Sequence, residues 1–395
     1  MKTVETDIVI IGAGIAGSWM LRRLLDSGYD ALLLESASAG AVQTTRSQGI
    51  IHGGIKYALN GVLSQASDAI KDMPARWRQC LQGEGEIDLR GVTQLSDAHY
   101  LWSQQSLGAK ITSFFAKKAM SGRVDAVHRD DYPQIFCDPA FKGNLYKLNE
   151  VVLDVPSVLE QLLAPVADRV LQLDSGNCIW EKSQTGDIEA LVCEEHQVRI
   201  RAQHFVFAAG KGNQAILDEL GITQPKMQLR PLHMVAVSHT VDLPIYAHCI
   251  GASSKPLVTV THHPHGDGRY TWYLGGDIAE SGIDATPAQQ IERAKQLMAK
   301  LLPWIDLSTA NWQTLRIERA EPKQNSLSRP DAAFCHAQDN YIVAWPTKLA
   351  LAPDLADKVL QNFHTQQLQP RYCAELSKLE TINRAQIAAP LWAAS

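Results

Sequence analysis

Seven cysteines (Cys80, Cys137, Cys178, Cys193, Cys249, Cys335, Cys373) are scattered along this 395-residue chain without a single CxxC pair. That spacing excludes a zinc ribbon, a thioredoxin-like motif and a secreted disulfide scaffold, and it points to a reducing compartment. Basic residues are in short supply. The 37 Lys and Arg stand against 42 Asp and Glu, so the formal charge is −5 and no broad footprint for nucleic acid exists. No run approaches the ~18 apolar residues of a membrane span. The start, Met1-Lys2-Thr3-Val4-Glu5-Thr6-Asp7, puts two acids ahead of its apolar run, the wrong order for a secretory signal. These absences predict a cytoplasmic protein. Internal repeats and low-complexity tracts are also missing. At 45% hydrophobic and 20% charged residues the chain is too apolar for disorder, and its length is room for two domains of ~100–200 residues each.

What is present begins at residue 7. Asp7-Ile8-Val9-Ile10-Ile11 is a short apolar run rich in β-branched residues, leading straight into Gly12-Ala13-Gly14-Ile15-Ala16-Gly17. It reads as a buried parallel strand and a tight turn. A helical pattern from Ser18 to Ser27 carries Met20, Leu21, Leu24 and Leu25, with Gly28 as its stop; a second strand, Ala31 to Leu34, ends at Glu35. Strand, glycine turn, helix, strand and acid make a dinucleotide-binding βαβ unit. Gly12 permits the turn, Gly14 lets the backbone approach a pyrophosphate, and Gly17 lets helix and strand pack closely. Ile15 and Ala16 open the helix whose N–H groups face the phosphates. Glu35, with Ser36 beside it, lies where a carboxylate accepts the ribose hydroxyls.

The hexapeptide alone does not choose between FAD and NAD. Two later segments suit a flavin. Gln203 to Gly210 reads as a strand ending in Ala208-Ala209-Gly210, where small residues admit a cofactor to the backbone. Asp339 to Trp345 reads as a strand followed by Pro346-Thr347-Lys348-Leu349 and a helix, broken early by Pro353 and continuing through Leu360. A helix N-terminus there would face the flavin's pyrimidine edge and stabilise the charge that reduction brings. No second GxGxxG unit accompanies the first.

These pieces resemble the D-amino-acid-oxidase-like superfamily of FAD-dependent oxidoreductases, closest to its glycerol-3-phosphate dehydrogenase and 2-hydroxyglutarate oxidase branch. The resemblance is carried by the glycine turn with Glu35, by Thr44-Thr45-Arg46-Ser47-Gln48-Gly49-Ile50-Ile51-His52-Gly53-Gly54-Ile55-Lys56-Tyr57, by Phe207-Ala208-Ala209-Gly210-Lys211-Gly212, and by the C-terminal segment. They follow the family's order over most of the chain, and the Ile-His-Gly-Gly block is the most specific. The resemblance implies FAD as cofactor, with Thr44, Thr45, Arg46, Ser47, Gly49, Ile51, His52 and Gly53 along the pyrophosphate and flavin. Ala209, Gly210, Thr347, Lys348 and Leu349 would meet the cofactor from elsewhere, and His52, Lys56 and Tyr57 would stand near the reacting face. Covalent attachment of the flavin through His52 stays open.

The implied fold is α/β (α+β two-domain): a Rossmann-type FAD-binding domain (1–85, 145–215 and 323–395) interleaved with a substrate domain on a mainly antiparallel sheet (86–144 and 216–322). In the first, Pro156 to Leu171 reads as one helix, and Asn177 to Val206 as short strands around a Thr185-Gly186-Asp187 turn. In the second, residues 88–142 show few strand alternations and read as a cap. Strands are expected at Met234–Val237, Leu257–Thr261 and Arg269–Gly276, then a helix from Pro287 to Leu302.

Flavin dehydrogenases pass a hydride to the flavin while a base takes the proton, so a histidine is the natural candidate. His52 and His233 are the two favoured here. His262-His263-Pro264-His265-Gly266-Asp267-Gly268 reads as the polar tip of a hairpin, and no metal is expected, because no carboxylate or cysteine cluster supports one. An anionic substrate needs cations. Arg316, Arg319 and Arg329 are candidates, although Glu321 and Arg230 depart from the family's substrate-side motifs. Lys348, if it reaches the flavin edge, would stabilise the reduced anion. Phe114-Phe115-Ala116-Lys117-Lys118-Ala119-Met120 reads either as a peripheral helix docking on the inner face of the membrane, suited to a quinone, or as a cap packed on the domain.

The resulting expectation is an enzyme that oxidises a small anionic hydroxy compound, glycerol-3-phosphate-like or a 2-hydroxy acid, to its carbonyl. Electrons would leave FAD for oxygen, a quinone or another carrier. An amino-acid or amine oxidase is the rival within enzymes, and a non-catalytic FAD-binding module the rival outside them.

Overall fold

The computed structural model describes residues 1–54, 66–103, 124–251, 255–323, 332–390 and 392. Lys56, Tyr57, Arg329 and the segment 114–120 lie outside the described residues.

Among the described residues two eight-stranded sheets, with a smaller three-stranded one, organise the fold. In the first, parallel strands Val170–Gln172, Ala31–Glu35, Lys2–Ile11, Val198–Phe207 and Tyr341–Trp345 lie side by side in that order. The hairpin Ile179–Lys182 and Ile188–Cys193 adds to the start of Val198–Phe207, and Phe334–Gln338 adds to Tyr341–Trp345, both antiparallel. Lys2–Ile11 is central, which explains its unbroken apolar run: Ile8 and Ile10 enter one core, Val9 and Ile11 the other. Helix Ile15–Asp26 covers one face with Trp19, Met20, Leu21 and Leu24, and Gly28 closes it at φ +86°.

The second sheet runs Asn311–Pro322, Met227–His239, Tyr270–Gly275, Pro256–Pro264, Ala247–Ile250, His99–Ser103, Leu145–Leu148, Val124–Ala126. It is antiparallel except where Ala247–Ile250 meets His99–Ser103. Helix Pro287–Leu301 packs Ala294, Met298 and Leu301 on one face with Val235 and Val237. The other face carries Met234, Ala236, Tyr273 and Ile317.

Several expectations need correction. Residues 88–142 supply strands His99–Ser103 and Val124–Ala126 to the second sheet, and Leu145–Leu148, expected in the first domain, is paired there too. The single helix Pro156 to Leu171 is helix Val155–Leu163, a 3-10 turn through Arg169 and strand Val170–Gln172. Pro165, with no N–H to give, ends the α-helical ladder there. Pro353 does not break the last helix: it sits in the first turn of Ala352–Thr365, where its missing N–H costs nothing. His262 and His263 are no hairpin tip either; both are buried within strand Pro256–Pro264.

Candidate active site

The glycine turn is held by contacts that only glycines allow. A Cβ on Gly12 would lie 2.6 Å from Ala209 Cα, and one on Gly17 would lie 2.0 Å from the Gly12 carbonyl oxygen. Turn, helix and the end of Val198–Phe207 are therefore pressed together. Glu35 Oε2 accepts from the Ala13 N–H at 2.8 Å, which ties the acid of the second strand to the turn. Thr44 Oγ1 accepts from the Ile15 N–H at 3.0 Å. Gly14, at the helix N-cap, offers the helix start no side chain of its own.

A cavity of about 940 Å³ runs from Glu35 and Ser36 past Gly12, Gly14, Ile15 and Ala16. It continues by Thr44, Arg46, Ser47, Gly49, His52, Ala209 and Gly210 to Thr347, Lys348 and Leu349, and ends beneath the second sheet. Its size matches the upper end of ligand pockets, roughly 300–1,000 Å³. An acid at one end, a helix N-terminus along the way and a buried lysine beyond fit FAD from ribose to ring. Four expected cofactor residues stand back from the wall. Gly17 is spent on helix packing, Thr45 donates to the Gly40 carbonyl, Ile51 pairs with Val151 in the core, and the Gly53 N–H donates to Glu150 Oε1 at 2.9 Å.

Beneath the second sheet, the two-residue period of the strands sorts the candidates. Leu232 and Met234 face the cavity, so His233 between them faces the helix-covered side. Its Nδ1 lies 2.9 Å from the Gly282 carbonyl oxygen, and it is fully buried there. The structure does not bring His233 to the cavity. Arg316 points the same way and donates to the carbonyls of Ile283 and Ala285. Arg319 does line the cavity, as does Arg230, its direct partner across the strands. Glu321 Oε1 accepts from Arg230 Nε at 2.8 Å and Nη2 at 2.6 Å. The two departures noted in the sequence thus answer one another: Glu321 is the counter-charge of Arg230. Glu280 also lines the cavity, pairs with Lys255, and lies 3.8 Å from Arg319 Nη2.

Lys348 is 4% exposed and lines the cavity, just before the 3-10 turn that leads into the last helix. Thr347 beside it takes φ +60° and donates its hydroxyl to the Ala332 carbonyl. His52 lines the same cavity.

Sequence reasoning missed Gln48, Lys255 and Glu280, and noticed Arg230 only as a departure. Gln48 Nε2 donates to the carbonyls of Tyr273 (2.8 Å) and Thr259 (3.1 Å), joining the first domain's loop to the second sheet. Burial raises the Tyr273 phenol well above its ordinary range, so its OH stays a donor, to the Arg46 carbonyl at 3.0 Å. Only cross-strand register reveals Arg230, since nothing in Arg230-Pro231-Leu232 announces a partner 89 positions away.

A parallel dinucleotide-binding sheet whose cavity opens into a cation-lined space under a second sheet defines a two-domain flavoprotein oxidoreductase. The chain matches the family described as DAO, FAD dependent oxidoreductase, over residues 7–344. It is 49% identical over 392 residues to a probable FAD-dependent oxidoreductase of Pseudomonas aeruginosa, covering 99% of this chain and 98% of that one. The crystal structure of that relative covers 99% of this chain and 98% of its own, with TM-score 0.85 and 44% identity. L-α-glycerophosphate oxidase from Mycoplasma pneumoniae, solved with FAD bound, shares the fold at TM-score 0.65 and 11% identity, over 92% and 95% of the two chains. Glycine oxidase from Geobacillus kaustophilus does so at 0.62 and 13%, over 94% and 97%. This chain belongs to the DAO family of FAD-dependent oxidoreductases, and FAD is its cofactor.

Proposed function

We propose that the enzyme oxidises a small anionic hydroxy compound, glycerol-3-phosphate-like or a 2-hydroxy acid, to its carbonyl. The observation that carries this reading is one cavity joining the dinucleotide turn to Arg230, Arg319 and buried Lys348. FAD, when bound, supplies the hydride acceptor. Arg319 and Arg230 hold the donor's anionic group, since guanidinium groups suit carboxylate and phosphate oxygens. His52 takes the hydroxyl proton, and Lys348 offers positive charge where negative charge develops. Electrons then leave for oxygen, a quinone or another carrier. Glu280 favours a second reading, a CH–NH donor, because its carboxylate on the same wall suits an ammonium group.

The test is an anaerobic visible spectrum of the holoenzyme before and after glycerol 3-phosphate, 2-hydroxy acids and amino acids in turn. Bleaching by a hydroxy compound is expected. Bleaching by amino acids alone would replace the first reading with the second.

A further inference from the structure

One histidine and carboxylate group has no part in the chemistry above. His99, Glu150 and His248 are 0%, 2% and 1% exposed, and each turns one ligand-type atom to the others, all within 4.8 Å of one another. Strand pairing brings them together. His99 opens a strand that pairs with Ala247–Ile250 on one side and Leu145–Leu148 on the other. Glu150 follows two residues after the latter. The two imidazole rings stand 4.2 Å apart, centre to centre, at a 49° tilt.

The surroundings orient the group. His248 Nδ1 lies 2.7 Å from Thr259 Oγ1, which fixes the orientation of the ring. The Gly53 N–H donates to Glu150 Oε1 at 2.9 Å, which holds the carboxylate in place. A hydroxyl on an imidazole nitrogen and an amide on a carboxylate oxygen are the kind of outer-shell contacts that orient metal ligands. His239, His262, His263 and His265, the other gathering of histidines, form no such convergence among the described residues.

We propose that His99, Glu150 and His248 bind a divalent transition metal of the zinc class. Two nitrogens and one carboxylate oxygen suit zinc, whereas magnesium and calcium favour shells of oxygen. Bonds of roughly 2.0–2.2 Å in a tetrahedron would set the ligand atoms ~3.4 Å apart, so side-chain movements of about an ångström close the site. Among the described residues the three protein ligands leave a fourth tetrahedral position, which water can take. The metal would also fix Glu150, and through it the Gly53 amide beside cavity-lining His52. It thereby holds the turn that carries the candidate base.

The experiment loads the FAD-bound protein with Zn²⁺, dialyses it against metal-free buffer and measures retained zinc by plasma mass spectrometry. About one equivalent is expected for the wild type. His99→Gln, His248→Gln and Glu150→Gln should each retain less than a tenth of that, and the exposed His128→Gln should match the wild type. Flavin content reports folding of each variant. X-ray absorption of the zinc-loaded wild type needs no variant: imidazole scattering with a nitrogen and oxygen shell is expected. A wild type that retains no zinc, ligand variants that keep flavin and zinc alike, or a sulfur or all-oxygen shell would each overturn the site.

Discussion

Replacing Glu321 by Gln separates two roles that one carboxylate plays. Glu321 is 1% exposed and receives two bonds from Arg230, at 2.8 and 2.6 Å, and one from Gln228 at 2.7 Å. The amide keeps size and an acceptor oxygen, so charge is the main loss. Breaking a buried pair costs about 3–5 kcal/mol. Arg230 keeps 30% of its side chain exposed, and solvent recovers part of that, so about 1–3 kcal/mol is the expected loss of stability. Affinity should move the other way. Arg230 and Arg319 face one another across the strands, and Glu321 cancels part of their joint field. Without it, a small dianion such as malonate should bind about tenfold more tightly, or ~1.4 kcal/mol. The assay pairs the denaturant midpoint of the holoenzyme with malonate titration of the flavin bands. A variant that is destabilised but binds malonate no better would remove Arg230 from the anion site. Unchanged stability would refute the buried pair itself.

Gly17→Ala sets a Cβ 2.0 Å from the Gly12 carbonyl oxygen and 3.0 Å from Leu33 Cδ1. It should cost about 3 kcal/mol and yield protein short of FAD by its visible-to-ultraviolet absorbance ratio; full FAD content at unchanged stability would refute the close packing of turn and helix. Lys348→Met, keeping volume without charge, should lower the flavin's midpoint potential and weaken sulfite binding at least tenfold, and an unchanged potential would place the ammonium away from the ring. Burial depresses His239 and His262 to about 4 and His263 to about 3. Unfolded imidazoles near ~6.5 take protons that the folded ones refuse, so this stability is full above pH ~6.5 and falls as the pH drops toward 4. Each contributes up to about 1.4 kcal/mol per pH unit, and a melting temperature flat from pH 7 to 5 would contradict the burial. His233→Gln should lower stability while leaving kcat/KM within about threefold, since its ring bonds the Gly282 carbonyl on the far face of the sheet.

The nucleotide half was legible because its signals are local. Strand, glycines, helix and acid lie within 35 residues, and each residue type has a steric or electrostatic duty that spacing exposes. The substrate half is built by register, which a sequence conceals. His233 and Met234 are neighbours in sequence yet lie on opposite faces of one strand, so choosing a base by residue type picked the wrong face. Arg319 was found through the resemblance, but its opposition to Arg230 depends on pairing between Met227–His239 and Asn311–Pro322. The His99, Glu150 and His248 group comes from three distant stretches of the chain and left no spacing to notice. Proline was misweighed twice: Pro165 was passed over inside the expected helix, which ends at Leu163, and at Pro353 a helix begins where a break was expected.

The central position of Lys2–Ile11 has a consequence during synthesis. Its partner on one side, Ala31–Glu35, leaves the ribosome almost at once, but the other, Val198–Phe207, is encoded about 190 residues later. At ~5–20 residues per second the wait is roughly 10–40 s. Throughout that interval this central strand presents one bare edge, with Ile8, Val9, Ile10 and Ile11 in a row, to every other nascent chain nearby. Translation speed and chaperone supply, more than the final stability of the fold, should therefore set how much active enzyme a cell recovers.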